Sequence, residues 1–488
     1  MSKQITIVVQ KKGDGEELVL LHDVEKTVLE TLRENGIALP SLCNGRGTCG
    51  RCKVQFKGSA PFPTPTERGR ISPDELREGY RLSCVARPMK ECSIQTSFEV
   101  EEKIKVLTES AIMQSSEERS EDDVTIENGE TVIAVDLGTT TIAMQLLEVS
   151  AGRLLDTYTC LNPQRSYGMD VVERIRAGSE GNGEKLRTLV REAIMKGRNL
   201  FVQAAYDQKL RQPELLVIAC NTAMGHLFMG YPTDTLGKSP FRPVNIELTQ
   251  WDWDGMRTVL LPGISAFVGG DIVAGLYASN LHKENVPWIF LDLGTNAEMA
   301  AGRDGCIFGT AAAAGPAFEG TGDGNTTGPE RISALAHLLK VGSADETGLL
   351  QEPYFETGIT VDNIFVTQKD IRDIQMAKAA VRTGIHFLKG KLKVDSYEQI
   401  GKVYLAGGFG FYLDQEAAVR IGLIPPELKG KLAVVGNTAL SGAGLIGRKM
   451  VRGSEGRNEL DNIVRRSGIF NLAEQPNFEE KYISYINF

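Results

Sequence analysis

Three cysteines crowd one glycine-rich stretch, LCNGRGTCGRCKV at 42–54, and a fourth follows in RLSC. The pattern is Cys43-x5-Cys49-x2-Cys52 and then a distant Cys84. No hydrophobic pattern constrains the chain as tightly, because four converging thiols fix a loop and pull a remote segment onto it. Four soft thiolates at short range can wrap a [2Fe–2S] cluster. Gly45, Gly47 and Gly50 leave room for backbone to pass close to the sulfides, with N–H groups free to point at them. Zinc is the alternative, since C-x2-C pairs are common in zinc sites. Zinc sites, however, usually present two separated pairs. Cys92 falls outside the pattern, and Cys160, Cys220 and Cys306 are isolated and expected to be structural.

The chain has 488 residues, enough for two to four domains. Its net charge of -9 argues against a nucleic-acid partner. The N-terminus has no signal-peptide pattern, and no run approaches the roughly 18 apolar residues of a membrane span. A cytoplasmic protein is expected, in which eight cysteines serve as ligands or buried thiols rather than disulfides.

Apolar runs at 4–10 and 17–22 flank Gly13-Asp14-Gly15, a hairpin signal. A helix is expected over 26–35, a strand over 52–56, a capped helix from Ser72 and a last strand over 92–97. Residues 99–130 then hold 11 acidic and 3 basic residues, a net of -8, and read as a tether that is mobile at its centre. A solvated loop and a regulated hinge are equally consistent with it. From Thr131 strands and helices alternate, as in a two-lobed α/β unit. The expected division is 1–98, a linker at 99–130, and 131–488, with lobes near 131–285 and 286–450 and a C-terminal tail.

Two strand ends in this unit look alike. Asp136-Leu137-Gly138-Thr139-Thr140-Thr141 follows one buried strand and Asp292-Leu293-Gly294-Thr295-Asn296-Ala297-Glu298 another. Such turns can face phosphate with backbone N–H groups and hydroxyls, while the Asp holds Mg²⁺ through water. A third turn, Leu405-Ala406-Gly407-Gly408-Phe409-Gly410, lets backbone lie against a flat base. There is no P-loop and no clear dinucleotide fingerprint. His226 is read as a packed histidine, Trp251 and Trp253 as packing residues, and 232–244 as a surface crossing or a partner-facing loop.

Residues 1–98 resemble a [2Fe–2S] ferredoxin domain of α+β, β-grasp type, with the x5 loop of adrenodoxin and bacterial-type members. The ordered turns of 131–450 resemble the actin, sugar kinase and heat-shock ATPase superfamily. In that resemblance 264–278 is the first connecting helix, with Asp271 at an acidic position, and 436–444 begins the second. Gly315 and Glu319 sit in a small-residue turn near the nucleotide. It implies ATP and Mg²⁺, with Asp136 and Asp292 as metal and phosphate carboxylates. Gly138, Thr139, Thr140, Thr141, Gly294, Thr295 and Asn296 would face phosphate, Gly407, Gly408 and Phe409 the base. Asp271 or Glu298 would orient the attacking water.

The two halves together resemble the reductive activators of corrinoid proteins, as do NPQRSYGMDVVERI at 162–175, TQKDIRDIQMAKAA at 367–380 and LAGGFGFYLD at 405–414. That resemblance implies ATP-dependent one-electron reduction of Co(II) to Co(I) in a corrinoid protein of a methyltransferase system. It also implies a low-potential electron donor and a homodimer. A redox-regulated small-molecule kinase, an ATP-driven electron donor to another enzyme such as a 2-hydroxyacyl-CoA dehydratase, and a non-catalytic scaffold are the other readings.

Overall fold

A computed structural model describes residues 3–11, 17–35, 37, 39, 45–58, 60–96, 107–110, 129–294, 296–318, 326–453 and 456–488. The N-terminal sheet has the order β2-β1-β5-β3-β4, from β1 (Gln4–Lys11), β2 (Glu17–Asp23), β3 (Lys53–Lys57), β4 (Tyr80–Leu82) and β5 (Cys92–Thr96). β1 pairs antiparallel with β2 and parallel with β5, the pairing of a β-grasp. Alternation along β1 turns Ile5, Ile7 and Val9 inward. Ile7 and Val9 share a core with Val28, Leu29 and Leu32 of the helix Val28–Glu34, which the sheet grasps. Thr27 and Glu30 form its capping box, and Ser72 and Glu75 form the one expected at the helix Pro73–Arg77.

The remaining chain builds two sheets of the same plan. The first has the order β10-β11-β9-β6-β7-β8, from β6 (Thr131–Leu137), β7 (Thr141–Glu148), β8 (Leu154–Leu161), β9 (Leu215–Cys220), β10 (Thr249–Trp253) and β11 (Met256–Leu260). The second has β18-β17-β12-β13-β14-β19, from β12 (Trp288–Leu293), β13 (Ala297–Arg303), β14 (Cys306–Ala312), β17 (Lys402–Ala406), β18 (Leu432–Gly436) and β19 (Ser467–Ile469). A small hairpin, β15 (Ile359–Val361) and β16 (Ile364–Val366), stands apart. Each large sheet is an antiparallel meander whose first strand, β6 or β12, continues through parallel neighbours. The duplication seen in the two Asp-x-Gly turns is thus a duplication of whole sheets.

Two helices join the lobes. Gly270–Ala278 and Thr438–Val451 cross so closely that a Cβ on Gly442 would collide with the Ala274 carbonyl. Their apolar faces share one core with Val132 and Val217 of the first sheet and Trp288 and Phe290 of the second. The helix Gln368–Lys391 begins after Thr367 and buries Ile371, Ile374, Val381, Ile385 and Leu388, as its periodicity requires.

Several expectations change. The first connecting helix starts at Gly270, not 264, because the Ser265 hydroxyl accepts from the N–H groups of Phe267 and Val268 and holds a turn. The glycine-rich segment after β17 is a short helix, Gly407–Tyr412, rather than a turn. The C-terminal tail belongs to the second lobe: β19 pairs with β14, and Lys378 donates to the Asn487 carbonyl. The centre of the acidic tether lies outside the described residues, but 107–110 are packed between the lobes, with Leu107 and Ser110 buried.

Candidate functional site

The cysteine loop is shaped by backbone that only glycine adopts easily. Gly45, Gly47 and Gly50 have φ of +85°, +75° and +69°, and a Cβ on Gly47 would meet Thr66 at 2.9 Å. Cys52 and Cys84 are buried and Cys49 is half-buried. The Ser83 N–H donates to the Cys52 carbonyl at 2.8 Å, which brings the fourth cysteine's segment onto the loop. A hydrogen bond from the Cys84 side chain pulls the Cys52 thiol down to about 6 against the effect of burial. A Cys52 thiol disposed to ionise beside a second cysteine, on a turn of left-handed glycines, suits a cluster ligand set. Cys43 lies outside the described residues. Cys92 opens β5 opposite Ile7, and burial pushes its thiol up to about 11.

The second locus is a cleft at the strand ends. Asp136 stands on β6, Asp292 on β12, Glu298 opposite Asp292 on β13, and Asp271 in the first turn of the helix Gly270–Ala278. Protein surrounds each carboxylate, yet part of each residue opens on the cleft. Burial raises Asp136 to about 6, partly offset by a hydrogen bond from Asn437. Burial, then the charge of Asp136, raises Asp271 to about 7, although the Ile272 N–H pulls the other way. Asp292 rises to about 7 through burial, then Asp271 and Asp136. Glu298 rises well above its usual range through burial, then Asp271 and Asp292. Asp271 feels Asp136, Asp292 feels both, and Glu298 feels Asp271 and Asp292, so the lobes place one group of carboxylates around a common space. A divalent cation there would relieve their repulsion. Among the described residues no three His, Cys, Asp or Glu are grouped as direct metal ligands.

The flanking turns are held by asparagines. Asn162 donates from its N–H to the Thr140 carbonyl at 2.9 Å and from Nδ2 to the Gly138 carbonyl at 2.8 Å. Asn221 donates to the Thr139 hydroxyl at 3.0 Å. Thr141 begins β7. In the second turn the Gly294 N–H donates to the Asn296 carbonyl at 2.9 Å, and the Asn296 side chain bonds Glu298. Thr295 and Glu319 lie outside the described residues. Gly407, at φ +76°, lies so close to Asp292 that a Cβ there would overlap Oδ1. Gly315 starts the short turn Gly315–Phe318. Phe409 does not face the cleft: its ring is buried and stacks on Phe318 at 4.4 Å, so Gly407 and Gly408 are the open part of this segment.

Residues 107–110 reach this cleft. Asn437, which caps the second connecting helix, donates from Nδ2 to Asp136 and to the Leu107 carbonyl, and from its N–H to the Glu109 carbonyl. Ser110 donates to the Val435 carbonyl, and Gln145 of the first lobe donates to the Thr108 carbonyl. Sequence reasoning did not place Asn162, Asn221 or this strap at the site; the only signal was that Asn162, Asn221 and Asn437 each precede a helical pattern.

His226 is confirmed as a packed residue. Its Nδ1 bonds the Thr222 carbonyl and its Nε2 accepts from the Val244 N–H, each at 2.8 Å. Trp251 and Trp253 pack on Phe228.

Comparison with known families fits this arrangement. The model of the RACo middle region matches 131–284, and that of the C-terminal domain of RACo, described as the ASKHA domain, matches 287–335 and 332–488. The chain belongs to the RACo family. A 2Fe-2S iron-sulfur cluster binding domain model matches 12–89, which assigns the cysteine loop of this RACo member to iron–sulfur rather than zinc. The "Corrinoid activation enzyme RamQ" of Eubacterium limosum is 27% identical over 420 residues, 72% of this chain and 69% of that protein. A Na(+)-translocating NADH-quinone reductase component of Chlamydia pneumoniae is 39% identical over 95 residues, 19% of this chain and 21% of that protein. Among solved structures, a "Reductive activator for corrinoid,iron-sulfur protein" shares the fold with a TM-score of 0.65 at 22% identity, covering 99% of this chain and 98% of that one. No helix among the described residues is long and apolar enough to cross a membrane.

Proposed function

We propose that this chain is an ATP-dependent activator that returns the Co(II) corrinoid of a methyltransferase corrinoid protein to Co(I). The observation that carries the reading is the carboxylate group Asp136, Asp271, Asp292 and Glu298, drawn from both lobes of a chain that also bears the cysteine loop. The names of its relatives supply the corrinoid partner. Cys43, Cys49, Cys52 and Cys84 would hold the cluster. When bound, the cluster supplies a one-electron store, filled by a low-potential donor.

Asp136 and Asp292 would hold Mg²⁺ through water, and the turns at 138–141 and 294–296 would face the phosphates. Water attacks the terminal phosphorus and the bond to ADP breaks. Asp271, raised to about 7, and Glu298, raised well above its usual range, are the two candidate bases for the attacking water. The lobes close on ATP and open on ADP and phosphate. Closure favours one docking state of the corrinoid protein only through differential affinity. About 1.4 kcal/mol of that difference shifts a one-electron equilibrium by about 59 mV. A dimer and a cytoplasmic location complete the proposal.

The test combines cluster-loaded protein, a Co(II) corrinoid protein and a low-potential donor, with and without Mg-ATP. The Co(I) absorption band is expected with ATP alone. Equal Co(I) in both arms, or none in either, would sink the proposal.

A further inference from the structure

The electron-delivery reading leaves one residue beside the cysteines unused. Arg33 lies on the helix Val28–Glu34, whose Leu29 N–H donates to the Ser83 carbonyl at 2.9 Å, next to Cys84. Its guanidinium carbon stands 5.1 Å above the ring centroid of Tyr167. Tyr167 is buried and belongs to the other side of the linker, in the nucleotide-binding lobe. Burial pulls the Arg33 guanidinium below its usual range, and the groups opposing that pull are Tyr167, Cys52, Cys84 and Glu30.

Tyr167 is also linked to the phosphate-facing turn through Asn162. It ends the turn Pro163–Tyr167, which begins at Asn162. Asn162 grips the carbonyls of Gly138 and Thr140, and Gln164 is anchored by donation to the Leu186 carbonyl at 2.9 Å. Asn162 is thus the connection by which a shift of the 138–141 turn on taking phosphate would reach the ring on which Arg33 rests.

We infer that Arg33 is a positioning residue for electron delivery: through Tyr167 it seats the cysteine loop on the nucleotide-binding lobe, and it keeps a positive charge beside Cys52 and Cys84. The inference rests on the reading that 138–141 faces phosphate and that the cysteines hold a cluster. A fixed cation near a cluster favours its reduced form and raises its potential. Nucleotide binding that moves Tyr167 would then change the potential as well as the seating.

The test uses full-length, cluster-loaded protein and no corrinoid. The midpoint potential is titrated by EPR with and without Mg²⁺ and a non-hydrolysable ATP analogue, and nucleotide affinity is measured by calorimetry. Arg33→Gln is expected to lower the potential and to speed hydrogen exchange over 163–167, with Arg33→Lys restoring most of the potential. Tyr167→Leu is expected to abolish the nucleotide-dependent shift, while Tyr167→Phe keeps it. An unchanged potential in Arg33→Gln, or a full nucleotide-dependent shift in Tyr167→Leu, overturns the inference. Wild-type protein that binds no nucleotide overturns the functional reading itself, and the calorimetry separates that failure from the other.

Discussion

Asn437 donates a side-chain hydrogen bond to the Asp136 carboxylate at 2.8 Å, across 301 residues of chain. The same amide nitrogen donates to the Leu107 carbonyl at 3.0 Å, and Oδ1 caps the second connecting helix by accepting from the Leu440 N–H. One side chain therefore ties a catalytic candidate of the first lobe to the hinge and to the strap from the ferredoxin domain.

Asn437→Ala removes the cap and leaves buried groups unpaired. A loss of about 1–2 kcal/mol of stability is expected, together with weaker Mg-ATP binding. Asn437→Asp keeps the cap but sets a second carboxylate against Asp136, so it should spare stability more than nucleotide affinity. Thermal melts and calorimetry on both variants read the two effects separately.

The cleft carboxylates give stability a pH dependence. Asp136 is raised to about 6 and Asp271 and Asp292 to about 7, whereas unfolded aspartates ionise near about 4. Between these values the folded protein holds protons that the unfolded chain has lost, so raising the pH through the window costs stability; above about 7 the cost from these three aspartates is constant. The melting temperature of nucleotide-free protein should fall from about pH 5 to 7. The gain from Mg-ATP should grow over the same range, with protons released on binding. Melting curves insensitive to pH across this window would contradict the carboxylate assignment.

Cys49→Ala should abolish the visible absorption of the cluster and electron delivery, while nucleotide affinity stays at the wild-type value. Iron analysis and calorimetry on the same preparation check this. A variant that keeps a full cluster would remove Cys49 from the ligand set.

Gly436 tests the strap. Its φ is +77°, and a Cβ there would overlap the Glu109 carbonyl. Gly436→Ala should cost about 1–2 kcal/mol through backbone strain and displace 107–110, which faster proteolysis of the linker would report. Unchanged cleavage would mean that the strap is not held at this point.

The 2Fe-2S domain was legible because ligand chemistry fixes residue type and spacing within a short stretch. The duplicated strand ends were legible because a buried parallel strand needs a continuous apolar run and the turn after it needs Gly and Thr. The glycines of 407–410 misled, since a run open to many backbone conformations does not by itself distinguish turn from helix. Phe409 followed that error: the helix turns its ring onto Phe318.

By itself the sequence determined the parts: an iron–sulfur loop, two Asp-x-Gly strand ends, and periodic helices with their caps, all local patterns. Only the tertiary structure decided how they meet. Asp136 raises Asp271 and Asp292, and Asp271 and Asp292 raise Glu298; Asn437 reaches Asp136 and the strap at once, and Arg33 rests on Tyr167. These contacts join residues far apart in the chain, and their strength comes from burial and from short distances that the crossing of the connecting helices and the packing of the domains create.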